Sequence, residues 1–143
     1  MRPAMMTVEQ LTQALNAEFP QLFRRDGGFK IEAVWHGGGR VRRIYDNSSL
    51  RPGGTISGAT MMELADFAMY VALLGSIGWL PLAVTTNLNI NFLRKPAQRD
   101  LLADVRLIKL GKRLAIGDIS IKSEGEEELV AHATATYSIP RKD

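Results

Sequence analysis

A chain of 143 residues with 45% apolar and 23% charged side chains suits one domain, residues 1–143, around a single core. It contains no cysteine, which excludes disulfides, thiolate metal sites and a cysteine nucleophile. The net charge of +3 is mild, but the segment 94–113 holds seven bases against two acids, a local +5. Such a run suits either an anionic partner or, more commonly, a solvated strand surface.

The N-terminal stretch MRPAMMTVEQLTQAL is polar and amphipathic rather than a long apolar signal core. Export is therefore not expected, and the cytoplasm is the expected compartment. Residues 7–19 predict a helix, because Val8, Leu11, Leu15 and Phe19 recur at helical spacing and Pro20 stops the pattern. From Phe29 the period becomes two: Phe29, Ile31, Ala33 and Trp35 alternate with polar residues. This predicts a strand over 29–35, a turn at HGGG (36–39), a second strand over 40–45 and then a loop of turn formers. A long apolar helix follows, roughly 58–74, and after it four strands over 83–93, 101–110, 114–122 and 129–139. The most apolar run, 67–84, is broken by Gly75, Gly78 and Pro81 and is short for a membrane span of ~20 residues. The order predicts an α+β domain in which a largely antiparallel sheet wraps a helix that is apolar nearly all round.

That helix carries two acids. Glu63, Asp66 and Tyr70 sit at i, i+3 and i+7 and share one face among Met, Ala, Leu, Phe and Val. Carboxylates in such surroundings are pushed toward their neutral form and suit a general base or nucleophile. TMME, residues 60–63, fits a capping box, so Glu63 reads as a cap. Asp66 lies too deep for capping and reads as functional. Gly58 and Ala59 start the helix, where free N–H groups and the dipole suit an oxyanion. Ser57 reads as the N-cap rather than a nucleophile, since neither His36 nor His132 is placed beside it by sequence. Thr85, Asn87, Asn89 and Asn91 line one face of the next strand, open to a ligand, a partner strand or water. The glycines at 37–39 lack phosphate-loop spacing, and two distant histidines make no metal motif.

Three stretches together resemble the hotdog-fold acyl-CoA thioesterases of the PaaI-like, phenylacetate-pathway type. They are GGTISGATMMELADFAMYVAL, similar to a Gly-x-x-His-Gly-Gly loop followed by Leu-Ala-Asp-x-Ala; NINFLRKP; and KLGKRLAIGDISI with the closing ATATYSI. The likeness covers about 29–139. It implies that Asp66 is the catalytic acid and that Gly58 supplies the N–H polarising the thioester carbonyl. It also implies that Gly54 is the loop glycine and that Thr85 or Thr86 helps to orient water. Arg94, Lys112 and Arg113 would meet coenzyme A phosphates, with Glu63, Arg51, Asn87 and Asn89 near the substrate. The implied partners are acyl-CoA and further copies of the chain, as a homodimer or homotetramer with sites between subunits. No cofactor, metal, nucleic acid or membrane is implied. Ser57 stands where the family has His, Ala59 where it has the second Gly, and Arg51 where it has Asn. Two functions therefore remain open: hydrolysis of acyl-CoA, and acyl-CoA binding without hydrolysis as a carrier or sensor. A hotdog dehydratase is weaker, because no His pairs with the acid on the helix.

Overall fold

Helix α1 (Val8–Glu18) begins at a capping box: Thr7 Oγ1 accepts from the Gln10 N–H, and the Gln10 side chain accepts from the Thr7 N–H. In the computed structural model, which describes residues 2–25 and 27–141, Leu11 and Leu15 of this helix are fully buried. Pro20 turns the chain into one 3₁₀ turn, Pro20–Phe23.

Strands β1 (Phe29–Trp35) and β2 (Gly38–Arg43) follow. The turn between them is tighter than predicted, because Gly38 and Gly39 already pair with the sheet opposite Trp35 and Val34. A side chain at Gly38 would come within 2.7 Å of the Trp35 indole, so the ring crosses where only glycine fits. The expected loop holds a small hairpin, β3 (Leu50–Arg51) with β4 (Thr55–Ile56), that period alone did not reveal. Helix α2 (Gly58–Ile77) runs three residues beyond the predicted end. Gly75 does not break it. Gly78 does, at φ +98°, returning its N–H to the Leu74 carbonyl. Then come β5 (Val84–Phe92), β6 (Leu101–Leu110), β7 (Leu114–Ser123) and β8 (Leu129–Ser138).

The six long strands form one antiparallel sheet in the order β1-β2-β6-β7-β8-β5, which wraps α2. By length and composition α2 could cross a membrane, but most of it is buried inside this sheet. On the outer face Arg42 ties three elements together through Glu32 at 2.6 Å, Asp100 at 2.9 Å and Glu124. The hydrogen bond to Glu32 leads the effects that hold its guanidinium charged.

Strand β5 is an edge. It pairs with β8 on one side, and its other side is open, with Val84, Phe92 and the following Leu93 exposed. Its ladder with β8 carries a bulge between Thr85 and Asn87. The bulge corrects one expectation: Thr85 does not share a face with the asparagines. An extra residue flips the alternation, so Thr85 turns toward α2 while Asn87, Asn89 and Asn91 face outward.

Candidate active site

Asp66 is the half-buried member of the acidic face. Its Oδ1 accepts the Thr85 hydroxyl at 2.6 Å and the Tyr137 hydroxyl at 2.9 Å. Thr85 reaches it because of the bulge, and Tyr137 stands directly across the ladder from Thr85 on β8. Tyr137 is 3% exposed. Burial first, and then the neighbouring Asp66, push its phenol far above the ordinary tyrosine range, so it remains a donor at neutral pH. Tyr70, one turn further along α2, donates to the Pro81 carbonyl at 2.8 Å, and burial raises its phenol too. With Leu22 and the packed rings of Phe29 and Phe67, these groups bound a cavity of about 460 Å³.

Glu63 lines the same cavity with an exposed side chain. It is not a helix cap. The helix starts at Gly58 with Ser57 as N-cap, so Glu63 lies beyond the first turn, where backbone N–H groups are already bonded within the helix. Ser57 Oγ accepts from the Thr60 N–H at 3.1 Å and lies 2.9 Å from the Thr60 hydroxyl. The histidines lie elsewhere. His36 is in the β1–β2 turn, where its backbone N–H donates to the Arg2 carbonyl, and the His132 ring meets Asp118 on the outer sheet face.

With Thr60 and Met61 satisfied by Ser57, the N–H groups of Gly58 and Ala59 have no partner among the described residues. Gly58 lines a second cavity of about 620 Å³, together with Arg51, Phe92, Leu93, Arg94 and Lys95 among others. A Cβ at Gly58 would lie 3.0 Å from the Phe92 ring, a close approach that glycine permits. Gly54, at φ +77°, turns the β3–β4 hairpin, and its carbonyl accepts Gln98 Nε2 at 2.6 Å. Thr86 points away from Asp66 and bonds the Thr136 carbonyl at 3.2 Å. Asn87 and Asn89 are on the outer face, also away from Asp66.

The predicted phosphate-binding bases do not meet within one chain. Arg94 sits at the far end of β5, paired with Glu128 at 2.7 Å. Lys112 and Arg113 lie in the β6–β7 turn, where with Ile77, Leu80 and Arg141 they line a third cavity of about 530 Å³. The nine residues of β5 separate the two groups, ~30 Å of extended chain. Tyr137 was not singled out by sequence, although a Tyr on an otherwise apolar strand face has to find a partner for its hydroxyl.

The family model described as the Thioesterase superfamily matches residues 53–130, more than half of the chain and all of α2. The chain belongs to the thioesterase superfamily. A candidate thioesterase of known structure from Silicibacter sp. is 45% identical to it, with a TM-score of 0.87 and coverage of 96% of this chain and 94% of the other. A candidate esterase of Saccharolobus solfataricus is 28% identical over 96% of this chain and 89% of its own length. The Escherichia coli PaaI protein shares the fold at 21% identity, with a TM-score of 0.77 over 94% of this chain and 91% of the other. The sheet-wrapped helix is thus the hotdog fold of this superfamily, with PaaI-like proteins among its neighbours. Membership in the superfamily supports thioester hydrolysis as the general chemistry.

The cap geometry gives a test. Ser57→Ala should lower stability by about 1 kcal/mol in chemical denaturation, and Ser57→Thr should restore most of it. Unchanged stability together with abolished hydrolysis would make Ser57 a reacting group instead of a cap.

Proposed function

We propose that the protein hydrolyses acyl-coenzyme A thioesters at sites shared between two copies of the chain. The observation that carries this is the placement of the two half-sites at opposite ends of one open strand. Gly58 and Asp66 are eight residues apart on α2, ~12 Å by the helical rise, too far to act on one carbonyl. Asp66, however, bonds Thr85 at one end of β5, and Gly58 packs on Phe92 at the other. If two β5 edges pair antiparallel about a centre near Leu88, Thr85 comes opposite the partner's Phe92. Asp66 of one chain then faces the Gly58 N–H of the other.

In this arrangement Asp66 takes a proton from water, which attacks the thioester carbon. The partner's Gly58 N–H stabilises the oxyanion. The carbon–sulfur bond breaks, and the coenzyme A thiolate leaves with the proton held by Asp66. The apolar cavity beside Asp66 would take the acyl group. The same pairing carries the partner's Arg94 and Lys95 toward Lys112 and Arg113, so a phosphate cluster absent from one chain would form from two. Ser57 and Arg51, standing where the family has His and Asn, favour a second reading in which acyl-CoA is bound and not hydrolysed.

Two outcomes are expected. Asp66→Asn, whose amide oxygen still accepts from Thr85 and Tyr137, should fold as the parent does and bind coenzyme A. It should lose hydrolysis by at least ~100-fold in a thiol-release assay over an acyl-CoA panel. Full activity in this variant would remove Asp66 from the chemistry. Loss in neither protein because neither hydrolyses, with binding in both, would establish the carrier. Coenzyme A affinity, measured by calorimetry, should fall as ionic strength rises and fall again in Lys112→Glu and Arg113→Glu, with little change in Tm. Affinity indifferent to salt and to both reversals would leave those bases as surface only.

A further inference from the structure

We infer that Tyr137 is a positioning residue that, with Thr85, ties down one oxygen of Asp66 and so selects the other, Oδ2, as the oxygen that meets water. The inference rests on Asp66 being the base proposed above. A carboxylate has two equivalent oxygens and a soft terminal torsion, so either can face a substrate unless something breaks the symmetry. Here both donors converge on Oδ1, from Thr85 at 2.6 Å and from Tyr137 at 2.9 Å. Among the described residues no donor reaches Oδ2.

The anchor is built to stay. Tyr137 is 3% exposed, and its ring lies 6.1 Å from that of Tyr70 at a tilt of 30°. Swinging away would open the core. Its hydroxyl also lies 3.1 Å from the Asp66 carbonyl. A phenol has one proton to give, and an ionised carboxylate is the stronger acceptor. The phenol, held protonated by burial, does not compete with Asp66 as a base. Thr85 is the second strap, and it is there only because the β5 bulge turns it inward. The two straps come from adjacent strands and Asp66 from the helix, so the geometry of the carboxylate is set by the sheet and not by α2 alone.

The test compares kcat and KM for thiol release in the parent, Tyr137→Phe, Thr85→Ala, Thr85→Ser and Asp66→Asn. Tyr137→Phe keeps the ring and its packing. It should lower kcat about tenfold or more, because the base is misaligned, while KM stays within about twofold. Thr85→Ala should behave alike, and Thr85→Ser, which keeps the hydroxyl, should recover most of what Thr85→Ala loses. The double variant Tyr137→Phe with Thr85→Ala should lose more than the product of the single losses, since it removes the last anchor on Oδ1. A folded Tyr137→Phe with parental kcat, beside an inactive Asp66→Asn, would overturn the positioning role and leave the base assignment standing. A Tyr137→Phe effect confined to thermal stability would do the same. Activity retained in Asp66→Asn would instead strike the base assignment itself, and the inference with it.

Discussion

A helix that is apolar all round has to be enclosed, and most of this structure follows from enclosing α2. From Leu64 to Leu74 nearly every side chain of α2 is buried. The sheet supplies the cover, with β8 presenting Ala131, Ala133 and Ala135 so that the helix lies close. The break in this apolar surface is the face of Glu63, Asp66 and Tyr70, which looks toward the β5 end of the sheet. A carboxylate there costs free energy unless its oxygens are bonded. Thr85 and Tyr137 offset part of that cost by donating to Oδ1. The packing that hides the helix therefore also aims its acid at the one strand whose outer edge is open on that side.

The proposed function divides the labour along α2. Its N-terminus carries N–H groups with no partner among the described residues at one end of β5, and its acid sits at the other. The helical rise keeps them apart within a chain. An exposed, partly apolar edge strand is an invitation to pair, and a twofold pairing exchanges the ends, since each patch then meets the other chain's opposite patch. In this account association completes the site as well as covering the edge.

Much of the fold was legible because its signals were periodic. The switch from helical to alternating spacing near Phe29, the stop at Pro20 and the long apolar run after Ser57 placed the main elements within a few residues. Asp66 stood out as an acid on an apolar helix. What was not legible had no periodic signature. The bulge at Thr85–Asn87 inserts one residue and reverses a face without changing composition. Glu63 matched a capping box because Thr60 and Glu63 have the right spacing, but the helix had already begun at Ser57. Arg94 looked close to Lys112 and Arg113 in sequence, whereas β6 runs the full length of the sheet between them. Tyr137 lies among alternating alanines, and nothing in the sequence places it across from Thr85 and beside Asp66.

Complementation between two inactive variants shows whether the site is shared between chains. Asp66→Asn removes the acid. Gly58→Pro removes the N–H donor at the first helical position, where proline suits the backbone and where Ser57, at φ −69° and ψ 152°, is already suited to precede it; the Phe92 ring, 3.0 Å from the added Cβ, has to shift slightly, so folding and dimerisation of this variant are measured alongside. Each variant alone should be folded, dimeric and inactive. After the two are unfolded and refolded together, half of the dimers are mixed, and one of the two sites in each mixed dimer has both parts intact, so about a quarter of the parental activity returns. Mixed dimers that form and stay as inactive as their parents would contradict a shared site.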